Sequence, residues 1–301
     1  GDYEAILLEQ AVQVNPIFST HYWYFDCSQQ PYSDARVRRA LALLLPWQEI
    51  RDPELYMVPA ETLVLSLPGY ASAKGIEKAS PEEAKRLLSQ AGYPGGAGLP
   101  RMTIRYADGN SGRRIAQIME KAWKEALSLD VILEPIAPSR YYENLASLRA
   151  SGSIGIAHST WIGDFADPEA FLQMWKSDSS LNDARLKDAA FDALLEKSYA
   201  KEGRERLRLL AEAETLLLEG AAVLPIYHSF AASVIDTDYI EGWFQNALDI
   251  HPYKYLRFGT PSIGPNVASA GTGGGDRISS SADGATVAKT TGTGFQIAGR
   301  F

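Results

Sequence analysis

Met102-Thr103-Ile104-Arg105-Tyr106-Ala107 and Val131-Ile132-Leu133-Glu134-Pro135-Ile136 stand at the two ends of a 35-residue window. In the first run Met102, Ile104 and Tyr106 alternate with Thr103 and Arg105, the period-two pattern of a half-buried strand. Between the runs Ile115, Ile118, Met119, Ala122, Trp123 and Ala126 recur at helical spacing with polar residues between them. Val131 and Leu133, with Ile136, predict a second strand. Strand, helix and strand over this length make a βαβ unit, most simply a parallel pair joined by a right-handed crossover.

Working outward, the neighbouring segments keep to the same alternation. Ser80-Pro81-Glu82-Glu83 opens a helix that runs to Gln90, with Ser80 at the N-cap, Pro81 at the first helical position and Glu83 in the third place of a capping box. Residues 51–75, punctuated by Pro53, Pro59, Pro68 and Gly69, read as a long irregular connection. Before it, residues 35–45 predict a helix with Val37, Ala40, Leu41 and Leu44 on one face, capped by Ser33 or Asp34 and stopped by Pro46. Thr20-His21-Tyr22-Trp23-Tyr24-Phe25-Asp26 is dense in aromatic β-formers and reads as a strand. Downstream come a helix over 139–150, a short strand over 154–157 and amphipathic helices over 188–199 and 204–219, the last ended by Gly220. Strands over 223–227 and 233–235 follow. The class through residue 259 is α/β. From 260 to 301, 20 of 42 residues are Gly, Ser or Thr. That stretch, with Gly273-Gly274-Gly275 as linker, predicts a flexible tail without the apolar area to offset its ordering entropy.

The 301 residues are 46% apolar and 22% charged, enough for a sizeable core in one large or two ordinary domains. No run approaches the roughly 18 apolar residues of a membrane span. A net charge of −8 without a basic stripe argues against nucleic acid as a partner. Cys27 is the only cysteine, which excludes a disulfide framework and a cysteine-rich metal site, and it reads as a small buried hydrophobe. His21, His158, His228 and His251 have no i, i+4 partners of the kind zinc sites use. No nucleophile elbow or phosphate-binding loop follows a strand. No catalysis, metal or cofactor is therefore expected. The sequence starts at Gly1 without an apolar signal run or a lipid-attachment cysteine nearby, as expected of a processed chain or a piece of a longer one.

One local cluster carries binding chemistry: Trp161-Ile162-Gly163-Asp164-Phe165-Ala166-Asp167-Pro168-Glu169-Ala170-Phe171, just after the strand expected to end near Ala157. A carboxylate between aromatic residues at a strand end suits a ligand site, because ligands gather there in α/β folds. Flanking rings would lower the local dielectric and strengthen the attraction of Asp164 for an ammonium group. Asp167, directly before Pro168, reads as a helix cap. Composition alone leaves Asp164 open between ligand group and cap. Arg36, Arg38 and Arg39 read as a solvated or ion-paired helix face.

The run Pro31-Tyr32-Ser33-Asp34-Ala35-Arg36-Val37-Arg38-Arg39-Ala40-Leu41 resembles the Pro-Phe-x-Asp-x-Arg-Val-Arg-x-Ala-Leu signature of the extracytoplasmic peptide-binding proteins of ABC importers. The aromatic strand before it, the stretch from Ser80 to Pro94, the Trp161 cluster and Val223-Leu224-Pro225-Ile226-Tyr227 follow in that family's order. The resemblance covers residues 1–259 and not the tail.

It implies a periplasmic-binding-protein-like, venus-flytrap receptor of class II that closes two lobes over a peptide and delivers it to the transmembrane subunits of an ABC permease. Residues 1–30 would end the N-terminal lobe and supply a hinge strand, 31–220 would form the C-terminal ligand-binding lobe, and 221–259 would return through the hinge. About half of the usual family chain, most of the N-terminal lobe, is missing. The resemblance places Asp164 against the ligand's α-ammonium. Thr160, Trp161 and Ile162 would line the ligand, with backbone groups around Thr160 and Ile162 bonding its main chain in the manner of strand addition. Tyr141 falls at a ligand-stacking aromatic, and His158 where some members place an arginine for a ligand carboxylate. A monomer outside the cytoplasm, in the periplasm or lipid-anchored, would follow. The alternatives are a degenerate lobe that binds a partner and no small ligand, or a receptor of the same fold for an oligosaccharide, nickel chelate or haem.

Overall fold

The structure, a computed structural model, describes residues 12–52, 57–152, 154–237 and 239–259. The expected tail at 260–301 lies outside these residues. The chain opens with strand β1 (Val12–Phe25) and continues through helix α1 (Ala35–Leu43), the single turn α2 (Trp47–Ile50), strand β2 (Met57–Pro59) and helix α3 (Pro81–Gln90). The predicted βαβ unit follows as β3 (Met102–Ala107), α4 (Asn110–Leu127) and β4 (Val131–Ile136). After it come α5 (Tyr141–Ser151), β5 (Ile156–Ile162), the single turn α6 (Glu169–Leu172), α7 (Ala189–Tyr199), α8 (Gly203–Glu219) and β6 (Val223–Val234). A two-stranded ribbon, β7 (Ile240–Glu241) with β8 (Arg257–Phe258), closes the described chain.

Among the described residues six strands form one mixed sheet in the order β2-β6-β1-β5-β3-β4. The β3–β4 pair is parallel, with Met102 opposite Val131 and Ala107 opposite Ile136, as the sequence pattern predicts. β1 lies antiparallel between β5 and β6. Met102, Ile104 and Tyr106 are buried, as are Ile115, Met119 and Trp123 on the inner stripe of α4. The Trp123 indole N–H donates to the Leu41 carbonyl (2.8 Å), tying α4 to α1, which packs on α3. Asp34 caps α1 through its side chain, accepting from the Arg36 N–H at 2.8 Å. Cys27 is buried, and burial pushes its thiol up to about 11.

Several expectations are corrected. β1 starts at Val12 rather than Thr20, β5 reaches Ile162 rather than stopping near Ala157, and the two strands expected over 223–235 are one. In each case polar residues or a proline hide the strand, and cross-strand pairing rather than local pattern extends it. β2 lies inside the stretch read as irregular. The Ser80 side chain makes no cap bond, and the Glu83 carboxylate pairs with Arg86 (2.6 Å) instead of closing a capping box. α8 does end at Gly220, its C-cap, as expected; the glycine keeps a right-handed conformation (φ −74°), and the left-handed turn falls on Ala221 (φ 47°). Arg38 is buried, donating to the carbonyls of Tyr32 (2.7 Å) and Gly220 (2.9 Å), so the arginine face is only partly solvated.

The long connection before α3 is held from α8. The fully buried Glu214 carboxylate accepts from the N–H groups of Leu63 (2.8 Å) and Val64 (2.9 Å) and from the Tyr70 hydroxyl (2.7 Å). Burial nevertheless holds this carboxyl above the usual range.

Candidate functional site

β5 changes character along its length. At one end of the β1–β5 ladder the Asp26 N–H donates to the Gly155 carbonyl, and at the other the Gly163 N–H donates to Phe18 (2.8 Å each). Tyr22 faces Ser159 and Thr20 faces Trp161 between these points. Antiparallel alternation therefore turns the backbone groups of Ser159 and Trp161 toward β1, and those of His158, Thr160 and Ile162 toward the opposite edge. On that edge β3 pairs only with Ile156 and Ala157. The Tyr141 hydroxyl takes the next place, donating to the His158 carbonyl (2.8 Å) and accepting from the His158 N–H (3.2 Å). Beyond it, among the described residues, no strand pairs with the Thr160–Ile162 edge.

The chain then leaves the sheet at Gly163. A Cβ there would lie 2.5 Å from Phe18 Cδ1 and 3.0 Å from Phe171 Cε2, and these two rings meet edge to face at 4.8 Å. Only a glycine lets the backbone pass so close. Asp164 follows it, exposed, and among the described residues no hydrogen bond or ion pair holds its carboxylate. The rings expected to shield it do not, since Phe165 is itself exposed. Asp167 takes the capping role read for it: it accepts from the Glu169 N–H (2.9 Å) and is gripped by both Arg206 Nη atoms (2.7 and 2.9 Å). Trp161 is anchored by its indole N–H on the Ala170 carbonyl (2.7 Å).

Two of the residues singled out from sequence sit differently from expectation. Tyr141 is buried and stacks on His158 (4.8 Å between centroids), so it has no face for a ligand; its neighbour Tyr142 is 59% exposed. The His158 Nε2 accepts from the Ala107 N–H (2.9 Å), and burial, helped by nearby His21, pushes its pKa down to about 4. At neutral pH it offers no cation to a carboxylate.

Three of the four histidines dispersed in sequence, His21, His158 and His228, lie on adjoining strands of the sheet, whereas His251 stacks on Trp243 outside it. His21 bridges β5 and β6, with Nδ1 against Thr160 Oγ1 (2.8 Å) and Nε2 against Ser229 Oγ (2.7 Å). His228 meets Thr20 Oγ1 (3.0 Å), and burial pushes it too down to about 4. Among the described residues no group of three His, Cys, Asp or Glu is set to hold a metal ion.

On the Ser159–Trp161 face of β5 lies a pocket of about 280 Å³ that sequence reasoning missed. Tyr22, Tyr142 and Leu145 line it, and Arg149 pairs with Asp183 (2.5 Å) at its polar side. These residues come from three separate segments; of the lining, the sequence had singled out Thr160 and Trp161, with Tyr142 beside Tyr141.

The mixed sheet with helices packed on it is a periplasmic-binding-protein-like α/β fold, here with a strand edge left open beside an exposed carboxylate. The model of the bacterial extracellular solute-binding proteins, family 5 Middle, matches residues 2–183, and the chain belongs to that family. It is 28% identical over 233 residues to the periplasmic oligopeptide-binding protein OppA of Salmonella typhimurium, covering 74% of this chain and 42% of that protein. It is 29% identical over 225 residues to the probable deoxycholate-binding periplasmic protein YgiS of Escherichia coli, covering 72% and 41%. The solved structure of the Escherichia coli murein tripeptide binding protein MppA superposes with a TM-score of 0.70 at 25% identity, covering 85% of this chain and 52% of that one. The chain thus spans less than half the length of these curated relatives.

Proposed function

We propose that this chain is the C-terminal lobe of a peptide receptor that works outside the cytoplasm and hands its ligand to the transmembrane subunits of an ABC permease, by binding alone and without chemistry. One observation carries the reading: among the described residues the Thr160–Ile162 edge has no pairing strand and ends, one glycine later, at an exposed carboxylate without a partner. A peptide main chain would add to that edge as a strand, and its α-ammonium would reach Asp164. β1 and β6 act as the hinge strands between this lobe, residues 31–220, and the other. Thr160, Ile162 and Asp164 bind; Trp161 holds the turn and walls the ligand; Tyr141 and His158 support the strand from behind.

Titration calorimetry of the full-length protein with a short peptide and with its N-acetylated form tests this. Acetylation is expected to weaken binding by roughly 10- to 100-fold, the worth of a hydrogen bond to a charged group. Equal affinities would remove Asp164 from the role. A second reading, an amphiphilic non-peptide ligand, is favoured by the similarity to a probable deoxycholate-binding protein; deoxycholate in the same cell, binding where peptides do not, would establish it.

A further inference from the structure

We infer that the pocket on the Ser159–Trp161 face of β5 selects one bulky, uncharged apolar side chain, aromatic or branched aliphatic, from the ligand. This rests on the reading of the β5 edge as the ligand's pairing strand. A main chain added there would point alternate side chains to the two faces of the sheet. On the Thr160 face the His21 ring takes up the Thr160 hydroxyl, and the cavity lined by His21, Trp23 and His158 is only about 130 Å³. The other face opens into the pocket, so the ligand residue directed that way meets it.

Size and lining narrow the choice. At about 280 Å³ the pocket is smaller than the roughly 300–1,000 Å³ of sites that enclose a whole small ligand, and suits a single large side chain. Tyr22, Leu145, Trp161 and Met174 form apolar walls, and Tyr142 and Leu181 form a rim that is 59% and 45% exposed. That rim would lose water only when a ligand covers it.

The polar side of the pocket argues against a charged occupant. Arg149 Nη1 pairs with Asp183 Oδ1 and also donates to the Ser180 carbonyl (3.1 Å). The Arg149 carbonyl accepts from Arg185 (3.1 Å), and Arg185 in turn grips the buried Asp26 (2.6 Å). The Arg149–Asp183 pair is thus internally neutralised and fastened to the end of β1. An entering ammonium or carboxylate would give up its hydration without finding an unpaired counter-charge.

The test is a tripeptide series on the full-length protein: tri-alanine, and the same peptide with Phe, Leu, Lys or Glu at each position in turn. At one position Phe and Leu are expected to bind roughly 10- to 150-fold more tightly than Ala, the effect of burying one large apolar side chain, while Lys and Glu gain nothing there. Ala146→Phe, which fills the pocket from its exposed rim, is expected to bring the Phe-to-Ala ratio at that position close to 1. Tri-alanine binding with no position that favours Phe or Leu overturns the pocket and leaves the peptide reading standing. So does an equal gain from Lys or Glu, or a ratio unaltered in folded Ala146→Phe. Absence of binding by every peptide overturns both. Should that variant fail to fold, the series on the unaltered protein decides.

Discussion

Ile156 and Ala157 at the start of β5 differ from Thr160 and Ile162 at its end in what their backbones face. The first two are wedged between β1 and β3 and are fully buried. Among the described residues the last two have β1 on one side only, and Ile162 is 61% exposed. Within seven residues one strand passes from satisfied core to an unfinished ladder, with the Tyr141 hydroxyl marking the boundary. Buried backbone groups go unpaired only rarely. A strand edge left incomplete beside a carboxylate without a partner among the described residues is the feature on which the proposed peptide binding rests, and the closed half of the strand anchors it in the sheet.

The contrast can be broken most sharply from the buried half. Ile156→Ala is expected to destabilise the chain by about 2–5 kcal/mol through the cavity it leaves, seen as a lowered thermal midpoint. The full-length protein, where still folded, should keep its preference for a free over an acetylated peptide. Asp164→Asn should do the reverse. Stability should stay within about 0.5 kcal/mol, as for an exposed site, while calorimetry shows free-peptide affinity falling toward that of the acetylated peptide.

A proline pair separates the two edges of the same strand. Trp161→Pro removes an N–H that faces β1 and is expected to cost about 1–3 kcal/mol in chemical denaturation. Thr160→Pro removes one that faces the open edge, and should weaken peptide binding more than it weakens the fold. If both variants lose stability equally, the edge assignment is wrong.

The smallest effect is a pH dependence. The His158 pKa is depressed in the folded chain, so below its unfolded value near 6.5 the unfolded state takes up more protons. Stability is lost as pH falls from about 6.5 toward 4, by about 1 kcal/mol once partial solvent screening of a half-buried ring is allowed for. Glu214 and Asp183, whose carboxyls are raised by burial, act in the opposite direction on acidification. The difference between the parent and His158→Gln isolates the histidine: the variant should show the shallower loss in denaturant midpoints over this range.

Much of the scaffold is written locally. The Met102–Ile136 alternation and the Asp34 and Asp167 caps depend on neighbours within a few residues and form as read, and the stripe of α4 does so through Ile115, Met119 and Trp123, with Leu127 rather than the exposed Ala126 buried at its end. What escaped the sequence depends on distant partners. His158, Ser159 and Thr160 look like the end of a strand because they are polar, and their partners, Ala107, Tyr22 and His21, lie far away in sequence. Glu214 looks like one more surface acid on an amphipathic helix until the connection 150 residues earlier folds over it. The choice between Tyr141 and Tyr142 turns on a single residue, which on a helix is a rotation of about 100°, enough to move a ring from core to rim.

β1 has one further consequence, for the order in which the chain can assemble. It is the earliest strand described, and it lies between partners that arrive much later: His21 pairs with Thr160 in β5 and with Tyr227 in β6. At roughly 5–20 residues per second, a ribosome would release β1 some 10–40 s before both flanks exist. Until then its aromatic run would stand without neighbours, in need of shelter. The outer strands β2, β3 and β4 are made before the inner β5 and β6, so the sheet is filled in at its middle only after nearly all of the described chain has been made.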